Sequence, residues 1–176
     1  MEHRITKLIV SNSGGTASKG SKTYKVVLPN SWVKELELDD SRINIMFDGK
    51  SICITKSVTP IEFAFNKKAM NHIVKKLTFY NGKLICSILY VDFTDKTLMV
   101  ENNDADAVKL AFGNNLMPTW QDFENFLKER CVPRERSGIR EYLEVIGVDN
   151  FDYMEIIQKT KGKMAEDNQW INVEDF

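Results

Sequence analysis

Residues 17–40, ASKGSKTYKVVLPNSWVKELELDD, hold a basic segment, an apolar segment, a proline and an amphipathic segment in that order. The β-branched and aromatic residues of 22–28 predict a strand, and Pro29 ends its pairing because proline has no amide hydrogen to donate. Residues 30–38 then predict a short helix. The strand and the loop before it carry lysines at a spacing of three: Lys19, Lys22 and Lys25.

The flanking segments complete a small β-rich module. Residues 11–21 (SNSGGTASKGS) are rich in Ser and Gly and predict a flexible loop between two strands. Residues 42–56 (RINIMFDGKSICITK) predict two strands joined at Asp48-Gly49, a dipeptide that supplies the positive φ angles of a tight hairpin. We expect the apolar side chains of the predicted helix to lie on its buried side: Trp32, Val33, Leu36 and, at its end, Leu38. Residues 57–60 (SVTP) predict the linker, so the first domain spans residues 1–57.

Charge is distributed unevenly along the chain. The whole sequence has a net charge of −1, but residues 1–57 contain nine Lys or Arg against six Asp or Glu, a net charge of +3. The remaining residues contain fifteen basic against nineteen acidic side chains, a net charge of −4. This division suggests a polyanion-binding first domain on an acidic second domain.

Residues 22–56 resemble the swapped-hairpin DNA-binding module of the AbrB, MazE and SpoVT group. The resemblance rests on a strand ending in basic-Val-Val-apolar-Pro (residues 25–29), a helix ending in Leu-x-Leu (36–38), and a Val/Ile-rich strand with an acidic-Gly hairpin (43–54). It implies that two chains exchange hairpins to form one small barrel, and that basic residues of the first strands and loops face DNA. The candidate nucleic-acid-binding residues are Arg4, Lys7, Lys19, Lys22 and Lys25.

Physical arguments support both parts of this interpretation. A module of about 50 residues buries too little apolar surface to be stable alone, which favours a homodimer. Lysines beside a Gly/Ser loop can follow a phosphate backbone by Coulomb attraction without reading bases, so duplex DNA is the favoured ligand and RNA the alternative. The same lysines are also typical of a solvated strand face. The chain departs from the group at Glu37 and at Asp40-Ser41, where glycine-containing sequences are common.

Residues 58–176 predict an α+β domain. A helix is predicted first, from the three-to-four spacing of Ala69, Met70, Ile73, Val74 and Leu77. A β-meander is predicted over residues 83–102, after a turn at Asn81-Gly82. The fold class expected for the whole chain is α+β, with a β-rich swapped-hairpin barrel module followed by a β-meander and a helical part.

The helical part carries its own capping residues. A side chain that accepts a hydrogen bond from the first helical turn is available at each of four starts: Asp104, Thr119, Ser137 and Asp152. The helices are expected to end at Gly113, before Pro133 and at Gly147. The last residues predict a short strand or a tail. We expect residues 58–176 to form one core that folds alone and binds a protein partner. The apolar residues expected to form this core are Trp120, Phe123, Phe126, Leu127, Ile139, Tyr142, Leu143, Ile146, Ile156, Ile157 and Trp170.

Arginines gather between two of these helices. Arg130, Arg134, Arg136 and Arg140 surround Pro133 and form a candidate site for an anion or RNA. Interleaved glutamates also favour local ion pairs that neutralise them. Asp167 and Trp170 are candidates for partner contact, with burial of the indole in the core as the alternative. Through residues 118–147 (PTWQDFENFLKERCVPRERSGIREYLEVIG) and 163–171 (KMAEDNQWI), residues 80–172 are similar to uncharacterised proteins carried on bacterial mobile elements. This resemblance suggests a genomic setting but no chemistry.

Several functions have no readable signature in the sequence. No catalytic or nucleotide-binding motif occurs, so no catalytic residue or cofactor is predicted, although a motif-free nuclease site would leave no such trace. His3 and His72 have no ligand partners at metal-binding spacing, so no metal is predicted. The three cysteines are expected to be buried thiols. No secretion signal or membrane-spanning run is found, which predicts a cytoplasmic protein with no membrane contact.

Three functional hypotheses follow. The leading hypothesis is a dimeric DNA-binding regulator whose second domain binds a partner. The competing hypothesis is an inhibitor encoded by a mobile element, of anti-CRISPR kind, that binds or truncates RNA of a host nucleoprotein. The third is an antitoxin that shares the DNA-binding domain and neutralises a toxin with its acidic half.

Overall fold

The computed structural model describes residues 2–12, 21–39, 42–47, 49–104 and 106–176. These residues form α-helices and antiparallel sheets, and the chain divides into two compact units. The first unit spans residues 1–57 and the second unit spans residues 58–176.

The described residues of the first unit form two separate two-stranded antiparallel sheets and one short helix. Its elements are β1 (Ile9–Asn12), β2 (Lys22–Lys25), α1 (Asn30–Glu35), β3 (Ile43–Phe47) and β4 (Ile52–Lys56). The hairpin predicted over residues 42–56 is confirmed, and Gly49 has the positive φ of 90° that its turn requires. The predicted loop lies largely outside the described residues, at 13–20. Within the described part of the chain the two sheets do not join into a closed barrel.

The first unit has almost no interior. None of its described residues is buried, and thirteen large apolar side chains are exposed. The predicted buried side of α1 is therefore only partly correct: Trp32 and Val33 are half-buried, but Leu36 is 55% exposed. Cys53, expected to be a buried thiol, is exposed for the same reason.

The second unit begins with a helix that the sequence pattern misplaced. Helix α2 spans Pro60–Ala69, and Thr59 caps it in a reciprocal capping box with Glu62. The helix predicted over residues 69–77 is wrong, because Asn71 adopts a left-handed φ of 62° and the chain then enters a strand. That strand is buried on both faces at Leu77, Thr78 and Phe79, so it lacks the alternation that reveals most strands.

The two strands of the predicted meander are confirmed, and two further strands join them in one sheet. Strands β5 (Val74–Asn81), β6 (Leu84–Asp92), β7 (Thr97–Asn102) and β8 (Gln169–Asp175) form an antiparallel sheet in the order β7-β6-β5-β8. Strand β8 pairs with β5 and forms one edge of the sheet.

Three α-helices lie between β7 and β8: α3 (Trp120–Glu129), α4 (Ile139–Ile146) and α5 (Tyr153–Thr160). Thr119 and Asp152 cap α3 and α5 as predicted, and Gly147 ends α4 in the left-handed region. Two caps were wrong. Asp106, not Asp104, caps a single 3-10 turn at Ala107–Lys109. Gly138, not Ser137, is the N-cap residue of α4, and no side chain caps this helix.

Helices pack against both faces of the sheet in the second unit. Alternate residues of β6 belong to different cores: Leu89 and Val91 face α3 and α5, whereas Tyr90 packs with Ala64 of α2. The larger core contains ten of the eleven apolar residues expected from the sequence to form it, from Trp120 to Ile157. Trp170 is the exception. No helix in the described part of the chain has the length and apolar character needed to cross a bilayer.

Candidate nucleic-acid interface and charged clusters

The ribbon of β1 and β2 places its two lysines on opposite faces. Side chains alternate across a strand, and directly opposed residues share a face. Lys22 therefore lies on the face of Tyr24 and Val10, because Tyr24 opposes Val10. Lys25 lies on the other face with Thr23. The three-residue spacing thus does not form one basic row along this ribbon.

The two faces of the ribbon differ in polarity. On the face with Lys22, Val10 and Tyr24 are 51% and 59% exposed. The face with Lys25 also carries Ser11, Thr23 and Ile9, which directly opposes Lys25, whereas Asn12 directly opposes Lys22 on the other face. The face with Lys25 therefore has one large apolar residue, and the face with Lys22 has two.

The other candidate nucleic-acid-binding residues of the first unit are less well defined. Arg4 and Lys7 are exposed in a segment before β1 that is neither helix nor strand. Lys19 lies outside the described residues. Beside α1, a cleft of about 380 Å³ is lined by Glu2, Trp32, Glu35 and Leu36, and its two carboxylates make it unsuited to phosphate.

The β3–β4 hairpin has one strongly apolar face. Ile45 opposes Ile54 and Phe47 opposes Ile52, which places these side chains and Ile43 on a single side. Ile45, Phe47 and Ile52 are 64%, 72% and 68% exposed. The opposite side carries smaller or more polar residues: Asn44, Met46, Cys53 and Thr55. We call the first side, which also carries Lys56 opposite Ile43, the apolar hairpin face.

Arg130 of the arginine group is buried in an internal ion pair. Its Nη1 and Nη2 donate to the two carboxylate oxygens of Asp167 over 2.6 and 3.1 Å, and its Nε donates to the carbonyl oxygen of Gly162 over 3.0 Å. It also donates to the backbone and side-chain oxygens of Gln169. The hydrogen bonds from Arg130 lower the pKa of Asp167 below its ordinary value. This arginine therefore joins the end of α3 to the start of β8.

The remaining arginines are exposed and are directed elsewhere. Arg134 lies over the ring of Phe151, with its guanidinium carbon 5.7 Å from the ring centroid. Arg140 lines a cleft of about 510 Å³ that also contains Glu144 and Asp149. Arg136 is exposed in the turn before α4. Because Arg130 is paired with Asp167, it does not contribute to the predicted anion site as the other arginines could.

Trp170 lies on the sheet rather than in the larger core. Its ring stacks on Tyr80 with centroids 4.0 Å apart, and its Nε1 donates to the carbonyl oxygen of Gly82 over 2.8 Å. Lys161 Nζ lies 5.4 Å from the centroid of the indole. Trp170 is half-buried, so part of it remains open to solvent beside Asp167.

The second unit also contains a charged cluster that the sequence did not indicate: Lys67, His72, Asp92 and Asp95. His72 Nδ1 lies 2.9 Å from Asp92 Oδ2 and 3.7 Å from Asp95 Oδ2. Lys67 Nζ lies 3.1 Å from Asp92 Oδ2 and 2.6 Å from Asp95 Oδ2. We call these four side chains the His72 cluster.

Burial and hydrogen bonding shift the pKa of Asp92 in opposite directions. Burial raises the pKa of its fully buried carboxyl, but hydrogen bonds from His72, Lys67 and the backbone outweigh burial and lower the pKa below its ordinary value. The pKa of Lys67 is raised, chiefly by its hydrogen bond to Asp95. Both groups are therefore held in their charged forms at neutral pH.

Spatial proximity in the His72 cluster arises from tertiary structure. His72 precedes β5, whereas Asp92 ends β6 and Asp95 lies in the following turn, so twenty residues separate the histidine from its first carboxylate. The antiparallel pairing of Val74 with Asp92 brings these positions together. Only a correct prediction of β5 would have revealed the cluster, because the helix predicted there places His72 on a different element.

Comparison of the chain with known protein families, with curated proteins and with solved structures gave no match.

Proposed function

We propose that this chain is a dimeric nucleic-acid-binding regulator, of the transcription-regulator or antitoxin type. In this proposal the first unit forms the dimer and binds duplex DNA, and the second unit binds a protein partner. The observation that carries the proposal is that the first unit exposes thirteen large apolar side chains and buries none of its described residues.

A second copy of the first unit is the occupant that best fits this apolar surface. A face of neighbouring exposed apolar side chains, such as the apolar hairpin face, is unusual for a monomeric protein. A two-chain core would cover the apolar hairpin face and the Tyr24 face of the ribbon. The resemblance to the swapped-hairpin group implies the same arrangement, with one barrel built from two chains.

The charge of the first unit supports a polyanionic ligand. Its net charge of +3 doubles in a dimer, whereas the second unit carries −4. If the dimer covers the Tyr24 face, Lys25 remains on the outer face with Ser11 and Thr23. Arg4 and Lys7 precede this ribbon and supply further positive charge for phosphate contacts.

The acidic second unit is better suited to a protein partner than to nucleic acid. Its extensive core supports the proposal that it folds without the first unit. Arg130 is held by Asp167, which removes one cation from the arginine group and weakens the case for an RNA site there. Trp170 remains the proposed contact for a partner, since its indole is partly open to solvent.

The proposal is tested with the full-length protein. Light scattering should give the mass of two chains, and nucleic acid recovered with the protein should be intact duplex DNA. Lys25→Ala should reduce the slope of log K against log salt by about 0.9 per chain, because one phosphate contact per chain is lost. Lys22→Ala, which removes the same charge from the opposite face, is the matched control and should change the slope less.

Three other outcomes would contradict parts of the proposed function. A monomer would contradict the dimer. Equal effects of the two lysine variants would contradict the assignment of the outer face. Recovery of truncated RNA would favour the competing function, a mobile-element inhibitor of anti-CRISPR kind that acts on a host nucleoprotein.

A further inference from the structure

We propose that His72, Asp92 and Asp95 form a binding site for a divalent transition-metal ion such as Zn²⁺, and that the Lys67 ammonium competes with the ion for the same carboxylates. This inference concerns the second unit and does not depend on DNA binding by the first.

The donor atoms are spaced for a shared ion. Each residue offers one ligand atom, and the three atoms lie within 4.8 Å of one another. His72 Nδ1 lies 2.9 Å from Asp92 Oδ2 and 3.7 Å from Asp95 Oδ2. These separations lie on either side of the roughly 3.4 Å between ligands of a tetrahedral ion with bonds of about 2.1 Å. The two separations from His72 to the carboxylates are therefore close to those found around a shared ion.

The site is held in place by backbone interactions. Asp92 is fully buried, and its Oδ1 accepts hydrogen bonds from the backbone N–H groups of Thr94 and Asp95 over 2.9 and 3.3 Å. The other oxygen of this carboxylate, Oδ2, is thereby directed to His72. Ile73 donates its N–H to Thr94 Oγ1, and Phe93 donates its N–H to the carbonyl oxygen of Ile73. These two bonds connect the segment with His72 to the turn with both carboxylates, as outer contacts do in metal sites.

The donor set determines the class of ion. One imidazole nitrogen with two carboxylate oxygens suits Zn²⁺, Mn²⁺, Fe²⁺ and Co²⁺, whereas Mg²⁺ and Ca²⁺ prefer oxygen donors alone. Asp95 is about half exposed, with 50% of its side chain accessible, so solvent can reach the ion and complete its coordination.

Lys67 lowers the affinity of this site for a metal ion. Its Nζ contacts both carboxylates and is 19% exposed, so it neutralises part of the charge that would attract an ion. A metal ion must displace this ammonium from the carboxylates or bind beside a like charge. Replacing Lys67 with a neutral residue of similar length should therefore strengthen metal binding, an effect opposite to that of removing a ligand.

The test uses the full chain with Cys53→Ser, because the exposed Cys53 thiol is a competing ligand. After treatment with a chelator, the protein is titrated with Zn²⁺ by calorimetry and with Co²⁺ by visible absorption. We expect one ion per chain in the second unit. Asp95→Asn should weaken binding by about tenfold or more. Lys67→Met should strengthen binding by about tenfold or more, because a like charge about 4 Å from the ion is removed.

Lys68→Met is the matched control. It removes the neighbouring exposed lysine, which belongs to the same helix but not to the cluster, and should leave the affinity unchanged. Circular dichroism checks that each variant is folded, and Zn²⁺ should raise the melting temperature of the parent protein more than Mg²⁺ does. Binding that is absent from both the parent and Lys67→Met at millimolar metal would overturn the proposal. Binding that Asp95→Asn leaves unchanged would do the same.

Discussion

At the scale of single residues, Arg130 shows how one side chain links distant parts of the second unit. Its guanidinium is almost fully buried and donates to Asp167, Gly162 and Gln169, more than thirty residues away in sequence. Gly162 also packs against it: an added Cβ there would lie 3.3 Å from Arg130 Cβ at a left-handed φ of 57°. A residue that the sequence presents as an anion ligand is thus part of the internal structure.

We predict that Arg130→Ala lowers the free energy of unfolding by about 2–4 kcal/mol, because the Gly162 carbonyl and Asp167 lose their buried donor. Urea denaturation followed by tryptophan fluorescence measures this change. Arg136→Ala removes an exposed guanidinium from the segment between α3 and α4 and should change stability by less than about 0.5 kcal/mol. Similar losses for both variants would contradict the internal role of Arg130.

At the scale of elements, the β3–β4 hairpin has two faces of different character. The register places Ile45 and Thr55 on opposite sides, with Ile45 on the apolar hairpin face. A sheet with one uncovered apolar face is stabilised when another element covers it. The hairpin is therefore the element on which the proposed dimer depends most.

We predict that Ile45→Glu converts the dimer to monomer, because a carboxylate in a two-chain core would be buried without a partner. Light scattering across a range of protein concentrations measures the change. Thr55→Glu places the same charge on the opposite face of the hairpin and should leave the mass at two chains. Dissociation by Thr55→Glu alone would show that the other face forms the interface.

At the scale of the whole molecule, two hydrogen-bonded carboxylates, one buried and one partly exposed, connect its stability to pH. The pKa values of Asp92 and Asp167 are both lowered in the folded chain. A carboxylate whose pKa is lower when folded stabilises the fold above its unfolded pKa, and this contribution is lost as pH falls through the folded value. Both groups therefore stabilise the second unit at neutral pH.

We predict that the free energy of unfolding falls as pH drops below about 4, the ordinary pKa of an aspartate. Urea denaturation between pH 3 and pH 7 measures the fall. Asp167→Asn should be less stable at neutral pH and should show a smaller fall in acid, since one of the two groups is removed. Asp149→Asn changes an exposed aspartate and should leave the fall unchanged. An acid response that Asp167→Asn does not reduce would contradict the assignment.

The amino-acid sequence alone determined the local features of this protein. Gly49 and Gly82 mark turns because each adopts a positive φ that glycine permits. Thr119 and Asp152 mark helix starts because their side chains accept hydrogen bonds from the first turn, as each does here. These signals act within a few residues and so can be recognised without knowledge of the fold. The apolar residues of α3 to α5 likewise predicted the core that contains them.

Local sequence patterns do not identify β5 as a strand, and they do not predict the side-chain contacts that its pairing creates. Val74, Leu77 and Phe79 have the spacing of neither a clean helix nor a clean strand, because β5 is covered by packing on both faces. Pairing of β5 with β6 and β8 then fixed which charged residues meet. It brought His72 to Asp92, and the return of the chain through β8 brought Asp167 to Arg130. Contacts between residues twenty or more positions apart depend on strand register and chain reversal, which local sequence patterns do not specify.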